Sequence, residues 1–220
     1  AELTMGGLLI ESAFGLSETH TMDTIMPPEH VVWGSNGIVP FEEMQVKIME
    51  NGKECKVGEI GEIFVKNKGI FKGYLNNPEA TNQVLIDGWL RTGDAGKLDE
   101  EGFLYFLGRR KEMMKSMGYS VFPDEVEMYL IRHEAVEKAV VIEKEIEKKG
   151  GIIKAFIVLY PEYRGKVTEE ELIEWSKERM ATYKRPREIE FITEVPTTAA
   201  GKLLRRKLRD YEEEKMKKAM

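Results

Sequence analysis

An α+β fold in two parts is what this sequence predicts: a β-rich stretch over residues 1–110 and a compact domain of mixed helix and strand over 111–220. Three observations carry the expectation. Apolar and polar residues alternate in short runs before Arg110, and helical and extended patterns take turns after it. A chain of 220 residues with 42% hydrophobic content has enough apolar surface for one large core or two modest ones.

In chain order, "MQVKIM" (Met44–Met49) alternates, "NGKE" follows as a turn, and "GEIFVKN" alternates again, while "FLYFL" (Phe103–Leu107) reads as a further strand. Pro123 and Asp124 open a helix whose Val126, Tyr129, Leu130 and His133 fall on one face at helical spacing. "EKAVVIE" and "GIIKAFIVLY" read as buried strands around a charged, exposed turn, "EKEIEKKGG". Thr168 and Glu171 have the spacing of a capping box, and the helix they start turns Leu172, Ile173, Trp175 and Met180 inward. "EIEFITEV" is the last strand, and a last helix runs from Leu203. No internal repeat or low-complexity linker interrupts the chain.

Charge and composition exclude several classes. The 33 basic and 39 acidic residues leave a net charge of −6, the wrong sign for a polyanion binder. Residues 202–220 hold eight basic and four acidic residues, but such mixed signs describe a solvated helix face, so no nucleic acid is expected. The single cysteine, Cys55, excludes an intramolecular disulfide and suits a reducing compartment. His20, His30 and His133 lack metal-ligand spacing. No apolar run approaches the roughly 18 residues of a membrane span, and no basic stretch precedes "GGLLI" as in a signal peptide. A soluble, cytoplasmic chain is expected.

The loops are richer in signal. "PTTAAGKLLRR" sets Gly201-Lys202 between a strand and a helix, the order of parts in a phosphate-binding P-loop. That motif needs a glycine five residues before the second glycine and a hydroxyl after the lysine. Pro196 and Leu203 stand in those places, so the P-loop reading fails. "AFGLSETH" gathers an aromatic, a glycine, a hydroxyl and a carboxylate, and "DGWLRTGD" ends a loop on Asp94. Each alone has an ordinary reading: Gly15 as a turn, Asp94 as a cap, Glu18 as a solvated carboxylate.

Together, and in order, "FGLSE", "GSNGIVP", "GEIFVKNKGIFKGYLNNPEAT", "DGWLRTGD", "GRRKEMMKSMGYSVFPDEVE", "YKRP" and "PTTAAGKLLRRKLR" resemble the C-terminal part of the AMP-forming acyl-CoA synthetases. This adenylate-forming superfamily includes firefly luciferase and peptide-synthetase adenylation domains. The resemblance runs from about Gly7 to Arg209, and "FGLSETHTMDTIMP" is most similar to the fatty-acyl-CoA ligases. It implies the β-rich end of the large adenylate-forming domain, followed by the small mobile α+β domain. It also implies ligation of a carboxylic acid, a fatty acid, to coenzyme A through an acyl-adenylate, with ATP and Mg2+. The alternatives are an aryl-CoA ligase, a carrier-protein adenylation domain, and a non-catalytic fragment that binds nucleotide or a partner.

Site residues follow from the resemblance position by position. Lys202 matches the lysine that bridges substrate carboxylate and α-phosphate, and Glu18 the carboxylate that holds magnesium. Ser17 and Gly15 match the loop beside the phosphate, and Phe14 the aromatic that packs on adenine. Asp94 matches the acceptor of both ribose hydroxyls, with Arg109 beside it. Lys111 stands at the hinge position. Lys115, expected to be catalytic together with Lys202, and Gly118 match the loop presented to coenzyme A, and Ala13 is a candidate for the acyl pocket. Two departures are visible. Ile142-Glu143-Lys144-Glu145 replaces the family's G-x-P-D and is expected to be a neutral surface turn. The family's glycine-, serine- and threonine-rich phosphate loop has no counterpart here, so the resemblance implies the later part of a longer enzyme, inactive alone. An unpartnered "MGGLLI" strand is further expected to pair with a second copy, giving a homodimer, or to aggregate.

Overall fold

Short alternating runs become short antiparallel strands in the computed structural model, which describes residues 13–146, 150–199, 201 and 203–219. The expected "MGGLLI" strand lies outside these residues. The chain divides into two units, Ala1–Lys111 and Glu112–Met220.

In the first unit, β1 (Ala13–Leu16) and β2 (Thr21–Ile25) form an antiparallel hairpin with a register shift at Phe14/Gly15. A second sheet contains β3 (Gln45–Glu50), β4 (Lys53–Glu54) and β5 (Gly61–Lys66). It continues through a helix, α1 (Pro78–Val84), to β6 (Leu85–Ile86), β7 (Trp89–Leu98) and β8 (Leu104–Arg109). The order is β4-β3-β5-β7-β6, with β8 also paired to β7. Ile48, Ile63, Val65 and Leu104 close over Phe14 as its core. Each aliphatic chain so buried contributes about 1.5–3 kcal/mol. Gly37 is obligatory: at φ +81°, a Cβ there would lie 2.1 Å from the Ile25 carbonyl carbon.

In the second unit, β9 (Met114–Ser116) and β10 (Tyr119–Val121) form a tight hairpin, and α2 (Pro123–Leu130) follows at once. The long strands β11 (Val136–Ile146) and β12 (Gly150–Leu159) pair antiparallel. After α3 (Glu169–Arg179), β13 (Glu188–Phe191) adds parallel to β12, and α4 (Arg205–Ala219) ends the unit. Strand period two gives this three-stranded sheet two apolar faces. Val141, Ile153, Ala155, Ile157 and Ile189 share a core with Leu130 of α2 and Leu172 of α3. Val140, Ile142 and Phe156 meet Leu208 of α4 on the other face. No described helix is long and apolar enough to cross a membrane.

The mixed α+β class agrees with the sequence expectation, and the Thr168–Glu171 capping box forms in both directions at 2.8 and 3.2 Å. Several boundaries differ. The first part is not strands and turns alone: Asn77 caps α1 by accepting Ala80 N–H at 3.0 Å, with Pro78 in the first turn. "DGWLRTGD" is not a loop that ends at Asp94, because β7 runs through it to Leu98. The expected exposed turn at 143–151 is mostly strand, paired up to Ile146 with Gly150. Ile142, expected in a surface turn, is 1% exposed. β13 stops at Phe191, α4 starts at Arg205, and α2 ends before His133. Cross-strand pairing and capping decide these limits, and both depend on residues distant in sequence.

Candidate active site

Ser17, Glu18 and Thr19 form one turn of 3-10 helix between β1 and β2. Thr19 is fully buried and ties the turn down: its one hydroxyl proton has two acceptors in reach, Asp23 Oδ2 at 2.8 Å and Leu16 O at 2.9 Å. Asn67 Nδ2 donates to the other oxygen of Asp23 at 2.6 Å. Burial pushes the Asp23 carboxyl up, against the hydrogen bonds from Thr19 and Asn67 that pull it down. Glu18 is held from the far side of the unit. Phe71 N–H donates to its carbonyl at 2.7 Å, and the Tyr74 hydroxyl donates to its Oε1 at 2.8 Å. Burial, then the bond to Glu18, raises the Tyr74 phenol, while the positive charge of Arg109 opposes both.

Arg109 is the link to the second candidate stretch. Asp94 and Arg109 face each other across β7 and β8, and Arg109 Nε lies 3.0 Å from Asp94 Oδ1. Asp94 is 2% exposed, and its N–H donates to Thr92 Oγ1 at 3.1 Å. Glu62, also buried, accepts from Gly93 N–H at 3.2 Å and from Arg91 at 2.9 Å, fixing the corner before Asp94. Arg109 thus pairs with Asp94, and its charge also acts on Tyr74, the partner of Glu18. A cleft of about 470 Å³ opens beside the turn that carries Glu18, lined by the run Ala13–Ser17 with His20 and Met22. Ala13, Gly15, Ser17, His20 and Met22 are its exposed members. Phe14 lines it as a buried wall, its ring 6.0 Å from that of Phe106.

In the second unit, period two in the β9–β10 hairpin turns Met114 and Val121 into the core and leaves Lys115 outward. Lys115 Nζ donates to Ser120 Oγ at 2.8 Å across the hairpin. Met117 (φ +52°) and Gly118 (φ +84°) make the two-residue turn, a conformation suited to glycine. Lys111 lies in a short 3-10 turn, Arg110–Glu112, at the boundary of the units. Lys202 lies outside the described residues. The ends of its loop are nonetheless fixed: Thr197 bridges Leu203, Leu204 N–H donates to Pro196 O at 2.9 Å, and Gly201 takes φ +76°.

Sequence reasoning assigned no role to Thr19, Asp23, Asn67, Tyr74, Glu62 or Arg205. All six lie inside the motif stretches, but Asn67, Tyr74, Glu62 and Arg205 gave no local signal, because their partners are 29 to 93 residues away, and the Thr19–Asp23 contact matters only once both are buried. Among the described residues, no group of three or more His, Cys, Asp and Glu could hold a metal ion. A lone carboxylate such as Glu18 fits Mg2+, which is commonly held by one or two carboxylates plus substrate phosphates.

Comparison with known proteins agrees with the motif reading. Residues 125–202 match the AMP-binding enzyme C-terminal domain. A long-chain-fatty-acid–CoA ligase of Bacillus subtilis is 41% identical over 97% of this chain and 38% of its own length. A 2-succinylbenzoate–CoA ligase of Bacillus cytotoxicus is 37% identical over 95% of this chain and 43% of its own. The o-succinylbenzoate CoA synthetase of Bacillus subtilis, solved with its acyl-adenylate intermediate, superposes with a TM-score of 0.84 at 38% identity. That match covers 90% of this chain and 40% of the other. The anthranilate CoA ligase AuaEII with anthranoyl-AMP gives 0.82 at 35% identity, over 91% and 39%. The chain therefore spans about two-fifths of the length of these relatives. By its ordered motifs, its α+β architecture and these likenesses, it belongs to the adenylate-forming superfamily of acyl- and aryl-CoA ligases, as a C-terminal portion.

Proposed function

We propose that this chain forms part of an enzyme that joins a carboxylic acid to coenzyme A at the expense of ATP. The single observation that carries this reading is a pair of held carboxylates: Glu18, bonded by Tyr74 in the turn beside the open Ala13–Ser17 cleft, and buried Asp94, paired with Arg109. In the first half-reaction a carboxylate oxygen attacks the α-phosphorus of ATP, and pyrophosphate leaves. In the second, the thiol sulfur of coenzyme A attacks the acyl carbon, AMP leaves with the bonding electrons, and the thiol proton is released.

Asp94, steadied by Arg109, accepts hydrogen bonds from the ribose hydroxyls, a task that suits two carboxylate oxygens. Ser17 and the Gly15 backbone border the phosphates, and Phe14 backs the adenine side of the cleft. Glu18 would hold Mg2+, which supplies charge neutralisation on the phosphates. Lys202 draws two anions together by offering a compact ammonium on a long stem. Lys111 acts as the hinge of a mobile second domain, and Lys115 and Gly118 face coenzyme A. The acid is a fatty acid in the first reading, with Ala13 in its pocket; the 41%-identical fatty-acid ligase supports it. An aryl acid is the second reading, supported by the succinylbenzoate and anthranilate relatives.

The test uses the longer enzyme that contains this chain. Lys202→Ala is expected to lower acid-dependent ATP–pyrophosphate exchange about a hundredfold or more, as loss of a key charge in a site does. Thioester formation from supplied acyl-adenylate falls far less. Equal losses in both half-reactions reject the role, and exchange rates over fatty and aryl acids choose between the substrate readings.

A further inference from the structure

A buried arginine stands three residues beyond Lys202. Arg205 is 6% exposed and meets three carboxylates from two other segments of the second unit. Its Nε donates to Glu112 Oε2 at 2.9 Å, and its Nη2 to Asp124 Oδ1 at 2.9 Å and Glu127 Oε2 at 3.0 Å. Its Nη1 bonds the remaining oxygen of Glu127. That oxygen also accepts Val141 N–H from β11 at 2.7 Å. A buried guanidinium is costly to desolvate, and an apolar residue would pack the start of a helix more simply. What the planar fork adds is direction: several bonds to carboxylates fix position and angle together.

The geometry ties two places together. At one end is the loop of Lys202, closed at its base by Leu204 N–H on Pro196 O and continuing directly into Arg205. At the other is Glu112, the first residue of the second unit and the neighbour of Lys111. Farther along α4, Leu208 and Glu212 hold the helix to the sheet independently, so Arg205 governs only its first turn. We infer that Arg205 is a positioning residue for Lys202: it clamps the first turn of α4, three residues on from that lysine, to α2 and to Glu112 beside Lys111. This rests on the reading of Lys202 as the adenylation lysine.

In the longer enzyme, three measurements on each variant test the inference: acid-dependent ATP–pyrophosphate exchange, thioester formation from supplied acyl-adenylate, and thermal unfolding. Arg205→Gln is expected to lower exchange kcat about a hundredfold, as misplacement of a catalytic group by ~1 Å does, with thioester formation within about threefold of the parent. Arg205→Lys keeps the charge without the fork and should recover about tenfold of that loss. Glu112→Gln removes one anchor of three and should reproduce the same split in weaker form. If Arg205→Gln does not fold, Arg205→Lys and Glu112→Gln carry the test with that split as the expected result. Exchange at the parental rate in these variants, while Lys202→Ala abolishes it, overturns the inference alone. So does a fall of both half-reactions in step with the melting temperature. Parental exchange in Lys202→Ala instead overturns the reading of Lys202, and Arg205's role with it.

Discussion

Lys154 should be among the most costly residues to remove from the second unit. It is 3% exposed, yet its Nζ lies 2.6 Å from Glu190, bonds Glu212, and is 4.0 Å from Glu188. Lys144 reaches Glu188 at 2.7 Å and Glu212 at 2.9 Å, and Lys215 reaches Glu190 at 2.8 Å. Three ammonium groups thus balance three carboxylates between the sheet and α4. Lys154→Met leaves Glu212, with only 4% of its side chain exposed, short of one partner. Breaking a buried pair costs about 3–5 kcal/mol, and because Lys144 and Lys215 remain, the lower figure of about 3 kcal/mol is expected. For a domain of this size that lowers the melting temperature by about 12–24 °C. Adding Glu212→Gln removes a carboxylate that has lost one of its two ammonium partners, while Lys144 keeps Glu188, and should return about 1 kcal/mol, since a neutral amide is cheaper to bury. The assay is urea and thermal unfolding followed by fluorescence of Trp175, the one tryptophan of residues 112–220. A loss below about 1 kcal/mol for Lys154→Met, or a double variant no more stable than the single, refutes the reasoning.

Acid should act through the same cluster. Burial pushes Glu190 up, but hydrogen bonds from Lys154, Lys215 and Tyr211 outweigh it and hold the carboxyl at about 2, against an ordinary 4.5. Its folded value is the lower one, so its contribution is present above pH 4.5 and lost as pH falls towards 2; screening limits it to about 1–2 kcal/mol. Glu190→Gln should flatten the urea midpoint between pH 5 and 3 relative to the parent, whereas parallel curves refute the assignment. Asp124 and Glu127, raised by burial, act with the opposite sign and are common to both proteins. In the first unit, Gly37→Ala forces a Cβ onto the Ile25 backbone and should cost about 3 kcal/mol or more. Gly34→Ala, at φ +84° with open space around it, should cost only about 1–2 kcal/mol by hydrogen exchange or denaturation; equal losses would remove the close-approach argument. Lys111→Pro fixes φ at the proposed hinge and should spare pyrophosphate exchange while impairing thioester formation; a matched fall in both removes the hinge.

Period-two alternation in "MQVKIM" and "GEIFVKN", and the Thr168–Glu171 capping spacing, determined strands and a helix start by themselves. Those signals arise from contacts a few residues long. The ordered motifs likewise determined the family, because each loop's chemistry is written in adjacent residues. Other features were decided only in three dimensions. "IEKE" was legible as a charged turn, but pairing with β12 and the carboxylates of β13 and α4 make it strand, bury Ile142 and draw Lys144 into an ionic cluster. Asp94 was legible as a site candidate at a loop end, whereas its place within β7, opposite Arg109, depends on the register of two strands. Tyr74 on Glu18, Asn67 on Asp23 and Arg205 on Glu112 join residues 56, 44 and 93 positions apart. No local pattern encodes such pairs, since a side-chain hydrogen bond is selected by which groups the packed fold leaves within about 3 Å of each other.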